Sequence, residues 1–247
     1  MSLPAREIIE NGYDRAMTRA GWLLIAAYVV VYFLNNVAIQ SMAKFETFGG
    51  ATYADLGART GLGLLPSLSM SYVVFVISMA GLITVVIVAL RVFLDDHRET
   101  IPREAYTALR SDFVRMTGGL LITVTAVAAG TVALFIPGIY FMIALYFFPV
   151  FIVERDCSII DSLRLSSHLV EGYKWDLLKL GVTFIGVATV YVIGAYILGE
   201  ILRLFWAAGF EVVFGLAVSV VGVWIWGSTV ETYEVLHERK GDLEIEG

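Results

Sequence analysis

Few residues of this 247-residue chain have a type and spacing that could do chemistry. Three histidines, His97, His168 and His237, lie far apart, and none stands in a metal-binding spacing such as HExxH. The sequence also has no Walker A loop, no GxSxG elbow and no dinucleotide-binding glycine pattern. Cys157 is the only cysteine, so neither an intramolecular disulfide nor a cysteine-based metal site can form. We therefore expect no enzymatic activity, no metal and no cofactor.

Two groups of polar residues remain as candidates. Asn35, Asn36 and Gln40 end a long apolar run, where they either line a water-filled cavity or form hydrogen bonds between helices. Glu154 ends another apolar run and is followed by a basic and an acidic residue. It either closes a cytoplasmic vestibule or forms an interfacial ion pair. These alternatives depend on the helices that position the residues.

The composition identifies the class of protein. Hydrophobic residues make up 58% of the chain and charged residues 16%, whereas a soluble domain has about 45–50% apolar and about a quarter charged residues. One water-soluble core cannot bury that much apolar surface, so the bilayer must solvate part of it. The net charge of −6 argues against nucleic acid as a partner, because nucleic acid favours a basic surface. We predict one all-α polytopic membrane domain whose partners are membrane lipids or other membrane proteins.

Six apolar runs predict six transmembrane helices, because a span needs about 20 mainly apolar residues to cross about 30 Å of hydrocarbon. Their approximate bounds are residues 22–39, 64–90, 118–136, 138–153, 177–198 and 212–230. The third and fourth come from one run that Pro137-Gly138 interrupts, and this dipeptide is a strong turn signal, so we predict a helical hairpin with almost no external loop. In the fourth, Pro149 removes a backbone hydrogen bond and predicts a kink. Residues 231–247 are predicted to form an acidic cytoplasmic tail.

The distribution of basic residues predicts the orientation. With the amino terminus inside, the cytoplasmic segments contain 14 of the 17 lysines and arginines, and the outside contains Lys44, Arg59 and Arg203. Cytoplasmic loops of membrane proteins carry such an excess of positive charge. We therefore expect a multi-pass protein of the cell membrane with both termini in the cytoplasm.

Each odd-numbered span follows a charged segment with amphipathic spacing. Residues 6–17, 100–115 and 158–172 place apolar side chains on one helix face and charged side chains on the other. The third segment has Ser158 and Asp161 at the spacing of a capping box and ends at Gly172. Such helices either lie in the headgroup plane with basic side chains toward anionic lipid or pack as loop helices under the bundle. The lipid-facing candidates are Arg103, Arg110, Arg115, Arg164 and Lys174.

The best-marked stretch follows the predicted kink. It runs from a proline through apolar residues to an acid, and then through a helix to an aromatic anchor, with key positions at Pro149, Glu154, Ser166, Leu169, Gly172 and Trp175. This pattern resembles the signature of a superfamily of six-helix membrane proteins. The superfamily includes YciC-like proteins and the membrane domain attached to some glycerophosphoryl diester phosphodiesterases. Ser162, Ser167 and Glu171 depart from the pattern. The resemblance implies six spans, and it carries over no hydrolase activity because the catalytic barrel of those fusions is a separate domain.

These observations favour a non-enzymatic integral membrane protein that engages lipid or helps to organise other membrane components. A small transporter or channel for a neutral or lipid-like solute is the alternative, and it would use the kinked fourth span and the polar end of the first. A membrane-embedded enzyme is a third hypothesis, which would need a polar cluster that the linear sequence does not reveal.

Overall fold

A computed structural model of the chain describes residues 3–43, 47–48, 51–52, 63–133, 135–206 and 209–241. The α-helices, numbered in chain order, are α1 Ala5–Ala16, α2 Arg19–Ala43, α3 Leu68–Leu94, α4 Leu109–Ala133, α5 Phe135–Ala144, α6 Phe148–Arg155, α7 Ile159–Leu169, α8 Lys174–Arg203 and α9 Gly209–Lys240. A short 3-10 helix covers Arg103–Tyr106. Two-residue strands β1, Thr47–Phe48, and β2, Ala51–Thr52, pair antiparallel.

The chain divides into two compact units. The first unit contains Met1–Trp22, Val86–Gly186 and Trp224–Gly247, and the second contains Leu23–Val85 and Val187–Val223. The first unit has a core of fully buried side chains that includes Ile8, Phe147, Phe151 and Leu169. Most candidate residues from the sequence belong to this unit.

Within the described residues, six helical segments are long and apolar enough to cross a membrane. They are Arg19–Ala43, Leu68–Leu94, Leu109–Ala133, Phe135–Arg155, Lys174–Arg203 and Gly209–Lys240. The buried share of their apolar windows runs from 11% in the fifth to 50% in the sixth, so much of the apolar surface faces outward. Apolar surface on this scale marks contact with a membrane or a partner. The predicted class, an all-α polytopic membrane protein with six spans, is confirmed.

The junction between the third and fourth spans differs from the prediction. Helix α4 ends at Ala133 and α5 begins at Phe135, so Pro137-Gly138 lies inside the first turn of α5 and forms no turn. A proline is tolerated there because the first N–H groups of a helix have no intrahelical acceptor. The same dipeptide is thus compatible with a turn or with a helix start. The predicted position of the turn is wrong, but the hairpin with almost no external loop is present, since a Cβ on Gly130 would lie 2.9 Å from the Gly138 nitrogen.

The sixth span also extends further than predicted. Helix α9 continues to Lys240, so residues 231–240 belong to the helix and only the last residues are left for a tail. This extension is stabilised by burial, since Tyr233 is 2% exposed and Leu236 is fully buried. The acidic residues Asp242, Glu244 and Glu246 lie outside the described part of the chain.

Two of the three predicted amphipathic helices form as separate elements, α1 and α7. Helix α7 has the expected cap, in which the Ser158 hydroxyl oxygen accepts the Asp161 N–H at 3.3 Å. The segment 100–115 does not form a separate helix, because a 3-10 turn gives way to α4 at Leu109. The Arg91 side chain donates hydrogen bonds to the carbonyl groups of Ala105 and Thr107. These carbonyls therefore accept from a distant side chain and not from N–H groups of a helix.

Candidate functional site

The fourth span is interrupted between Ala144, the last residue of α5, and Phe148, the first residue of α6. Pro149 is the second residue of α6, where its missing N–H removes no helical hydrogen bond. The structure shows a three-residue turn, 145–147, between two helices where the sequence predicts a kink. This break brings polar backbone groups into the core of the first unit.

Ser166 of α7 binds the backbone groups that the break releases. Its hydroxyl oxygen accepts the Phe147 N–H at 3.0 Å, and the hydroxyl donates to the Ala144 carbonyl at 2.8 Å. The Ser166 side chain is fully buried. An unpaired buried backbone group costs about 1–3 kcal/mol, so one serine stabilises two positions of the broken span. The sequence singles out Ser166 through the family-like pattern and does not reveal this role.

Glu154 at the end of α6 is held by the sixth span. Its carboxylate accepts a hydrogen bond from the hydroxyl of Tyr233, and Arg155 lies 4.0 Å away. Tyr233 is buried and packs edge-to-face against Phe151, with 5.4 Å between ring centroids. The contact with Arg155 agrees with the ion-pair alternative, and the tyrosine bond is an additional feature that the sequence does not show.

The remaining positions of the pattern shape the turn into the fifth span. Leu169 is fully buried, and Gly172 adopts a left-handed conformation with φ of +88°. Such a backbone favours glycine because it has no Cβ. Trp175 is 76% exposed, and the Lys174 ammonium lies 3.0 Å from the Tyr140 hydroxyl. The buried Leu169 therefore contributes to the core of the first unit, whereas the Trp175 side chain is exposed on its surface.

Two partly buried arginine networks hold the unit together. The Arg91 guanidinium lies 2.5 Å from the Asp112 carboxylate, whose side chain is only 2% exposed. Arg15 of α1 bonds to Glu234 and lies 3.1 Å from Glu231 on α9. The residues of each network are separated by whole helices in the sequence, so charge patterning alone does not identify them.

The basic residues predicted to face lipid fall into two groups. Arg115 donates to the backbone carbonyl of Asp156 at 2.9 Å and to its carboxylate, so its charge is already balanced. Arg103, Arg110 and Arg164 are exposed and have no polar partner within the described ranges. These three arginines, called the free arginines below, are the members of the predicted lipid-facing set that have no such partner among the described residues.

The polar end of the first span makes interhelical bonds within the second unit. The Asn35 amide donates to the Ser78 hydroxyl of α3 at 3.0 Å, and Gln40 hydrogen-bonds Glu211 at the start of α9. Asn36 donates to the Tyr32 carbonyl of its own helix at 3.0 Å. These contacts agree with the hydrogen-bonding alternative. Glu211, which the sequence places in an outer connection, is buried and 5% exposed.

A cavity of about 90 Å³ lies beside the break in the fourth span. Four of the residues that line it carry a hydroxyl group, namely Tyr146, Ser228, Thr229 and Thr232. The Tyr146 and Thr229 oxygens are 2.8 Å apart, and because Thr229 donates to the Ile225 carbonyl, Tyr146 is the donor of this pair. This space is called the hydroxyl cavity below.

The other residues that line the hydroxyl cavity are apolar. They include Ile8 and Ile9 of α1, Phe147 at the break, and Leu177, Leu180 and Phe184 of α8. Tyr146 is 42% exposed, so the cavity borders the outer surface of the unit at this residue. No group of three His, Cys, Asp or Glu residues that could hold a metal occurs in the described part of the chain.

Comparison with known proteins assigns the chain to a family. A family model described as a domain of unknown function, DUF7847, matches residues 3–236. The chain belongs to this family. No curated protein and no solved structure matches the sequence. The DUF7847 match covers the free arginines and the whole hydroxyl cavity, and its description names no activity.

One sequence signal within the DUF7847 region points to the cavity. Ser228, Thr229 and Thr232 lie at helical spacing on one stretch of the sixth span. Hydroxyl residues in a span normally bond to carbonyls of their own helix, so the signal alone does not distinguish a site from packing. The hydrogen bond between Tyr146 and Thr229 joins the fourth and sixth spans, and this contact cannot be inferred from the spacing within the sixth span.

Proposed function

We propose that this protein is a non-enzymatic membrane protein that binds anionic lipid headgroups through the free arginines Arg103, Arg110 and Arg164. The proposal rests on one observation, which is that these side chains are exposed and have no polar partner among the described residues. Arg15, Arg91 and Arg115 of the same unit pair with acids instead. A guanidinium group binds phosphate through two parallel hydrogen bonds, which suits it to lipid headgroups.

The proposed location is the cell membrane, with both termini and the free arginines on the cytoplasmic side. The excess of basic residues in the connections assigned to that side supports this orientation. The cytoplasmic leaflet carries anionic lipids, which attract basic segments near the surface. Lys44 and Arg59, assigned to the outside, lie outside the described residues. The proposed relation to the YciC-like superfamily rests on the pattern from Pro149 to Trp175 and stays a prediction.

Lipid retention during purification tests the proposal. Full-length protein is extracted from a mixture of phosphatidylglycerol and phosphatidylcholine, and native mass spectrometry measures the ratio of the two lipids that stay bound. Each basic side chain near an anionic surface contributes about 1 kcal/mol. The triple variant R103Q/R110Q/R164Q should therefore bind phosphatidylglycerol about 100-fold more weakly.

The matched control is R6Q/R98Q. Arg6 and Arg98 are also exposed, but Arg6 lies 2.7 Å from Glu10 and Arg98 lies 3.1 Å from Asp96. This control should retain the phosphatidylglycerol enrichment of the wild type. Equal enrichment in the triple variant and the wild type, or an equal loss in the control, contradicts the proposal.

A transporter for a neutral or lipid-like solute is the second candidate, favoured by the hydroxyl cavity beside the broken span. Transporters commonly build their sites at interrupted helices. Liposome flux assays with an uncharged solute separate the two functions. Flux above that of protein-free liposomes, abolished by filling the cavity with L180F, would favour transport over lipid binding alone.

A further inference from the structure

We infer that the hairpin of α4 and α5 turns back inside the bilayer, with its tip packed against lipid acyl chains. The tip consists of Val132, Phe135 and Ile136, and the hairpin opens toward the side of Lys174. Both segments are long and apolar enough to cross a membrane, but their contacts limit how far the tip reaches. This inference goes beyond the proposed function. It requires the helices to lie in a membrane, but it does not depend on the free arginines.

The hairpin carries no charge that would hold its tip in water. The sequence has no lysine, arginine, histidine, aspartate or glutamate between Arg115 and Glu154. The end of α8, by contrast, carries Glu200 and Arg203, which the sequence places at the outer surface. Charged side chains are costly in hydrocarbon, so they mark the helix ends that reach the headgroups. The tip of the hairpin lacks this mark.

The surface of the tip is apolar and open. Val132 is 88% exposed, Phe135 is 70% exposed and Ile136 is 78% exposed. A tip in water would keep this apolar surface hydrated, which is unfavourable, whereas acyl chains cover it. These three side chains offer neither a charge nor a hydrogen bond, so acyl chains are the partner that fits them.

Lys174 marks the level of one headgroup layer. It is the first residue of α8, and the side chain of the neighbouring Trp175 is 76% exposed. Tryptophan is enriched at the membrane–water interface, and a lysine near the end of a span places its ammonium there. The position of this ammonium therefore serves as a reference for depth.

One contact ties the hairpin to that level. The Lys174 ammonium lies 3.0 Å from the Tyr140 hydroxyl and 4.2 Å from the centre of the Tyr140 ring. Phe135 precedes Tyr140 in α5 by five residues, which rise about 7.5 Å in a helix. With the length of the tyrosine side chain added, Phe135 lies within about 20 Å of the ammonium. The hydrocarbon layer is about 30 Å thick, so the tip does not reach the opposite headgroups.

The turn leaves little backbone to satisfy in hydrocarbon. Irregular backbone is not tolerated there when it is exposed to lipid, because its N–H and C=O groups would lack partners. Helix α4 ends at Ala133 and α5 begins at Phe135, so the connection is minimal. A Cβ on Gly138 would lie 2.9 Å from the Thr131 nitrogen, so the two backbones cover each other. Pro137 has no N–H, which removes one donor from the start of α5.

Depth-dependent fluorescence quenching tests the inference in the full-length protein in lipid nanodiscs. In a C157A background, the exposed positions Val114, Val124 and Val132 along α4 are changed singly to V114C, V124C and V132C and labelled with bimane. Quenching is compared between lipids brominated near the headgroup end and near the methyl end of the acyl chain. We expect V132C to be the deepest position, quenched at least twofold more by methyl-end bromine. V114C should show the opposite preference.

A complete crossing gives a different order of depths. V124C would then be the deepest position, and V132C would prefer headgroup-end bromine as V114C does, which would overturn the inference. Weak quenching of V132C by both lipids would overturn it as well, since protein would then cover the tip. V124C is the matched control, because it is an exposed valine of the same helix and lies in hydrocarbon in both arrangements.

The variant R103Q/R110Q/R164Q separates this inference from the proposed function. Added to V132C, it should keep the preference for methyl-end bromine even where phosphatidylglycerol enrichment is lost. Phosphatidylglycerol enrichment together with V124C as the deepest position would sink this inference alone.

Discussion

The fourth and sixth spans place polar groups inside the first unit in two different ways. The fourth, Phe135–Arg155, is interrupted, and Ser166 of a neighbouring helix binds the released backbone groups. The sixth, Gly209–Lys240, is continuous, and Thr229 and Thr232 bond to carbonyls of their own helix. The backbone groups at the break in the fourth span thus need hydrogen bonds from another helix. The backbone hydrogen bonds of the sixth span are made within its own helix.

Removing the serine that binds the break should give the largest effect. S166A leaves the Phe147 N–H and the Ala144 carbonyl without this partner in a buried position, which should lower the free energy of unfolding by about 2–6 kcal/mol. S167A is the matched control, because Ser167 bonds to the Arg164 carbonyl of its own helix in an exposed position. Unfolding in mixed micelles with increasing SDS measures both. Equal stability of S166A and S167A would show that the break does not depend on this serine.

Removing the hydrogen bond between Tyr233 of the sixth span and Glu154 of the fourth should give the next largest loss of stability. Y233F removes the hydroxyl that binds Glu154, and hydrogen bonds to charged groups contribute about 1.5–3 kcal/mol. Y106F is the control, because Tyr106 is 53% exposed. A double-mutant cycle with E154Q isolates the interaction, and purely additive losses would show that the pair contributes no coupling energy.

The packing of α1 against the sixth span gives a smaller expected effect. A Cβ on Gly12 would lie 2.6 Å from the Ser228 Cα, so G12A should cost about 1–3 kcal/mol through overpacking. G186A is the control, since a Cβ on Gly186 meets nothing within 4 Å. In a helix interior, alanine in place of glycine stabilises by up to about 1 kcal/mol. A tolerated G12A would mean that α1 packs less closely than the structure shows.

The smallest expected effect is on the reactivity of Cys157, which lies just after the fourth span. Burial raises the pKa of the Cys157 thiol, although Arg155 partly offsets this. Because the thiolate is the reactive form, maleimide should label Cys157 more slowly at pH 7 than a fully exposed cysteine, and the rate should rise with pH. A rate as fast as that of an exposed cysteine would contradict the burial.

The same thiol tests the orientation. An impermeant maleimide added to intact cells should leave Cys157 unlabelled, and labelling should appear once the membrane is permeabilised. Rapid labelling in intact cells would place the end of the fourth span outside.

Local chemistry was enough to predict the parts of the fold that depend on near neighbours. The six apolar runs and the cap at Ser158 are each determined by residues within a few positions, whereas Pro149 predicts only a kink where the fourth span is interrupted. Pro137-Gly138 was misread because a proline fits a turn and the first turn of a helix equally well. The segment 100–115 is predicted as one amphipathic helix, and the sequence does not reveal that the Arg91 side chain donates hydrogen bonds to two of its carbonyl groups.

The candidate sites depend on contacts between distant residues. The hydroxyl cavity needs Tyr146 and Thr229, 83 positions apart, and no periodicity links them. Which arginines remain free also follows only after the tertiary pairs of Arg15, Arg91 and Arg115 are known. The sequence therefore predicted the membrane class and the list of cations, but not which cations are available.

The pairing of Arg15 with Glu234 has a consequence for biosynthesis. These residues are 219 positions apart, and α1 also binds α9 through the hydrogen bond of Asn11 to Glu231. Chains are synthesised from the amino terminus, so the first helix leaves the ribosome long before its partners exist. We therefore expect α1 to complete its docking only after the sixth span has been synthesised, so this contact forms late in assembly.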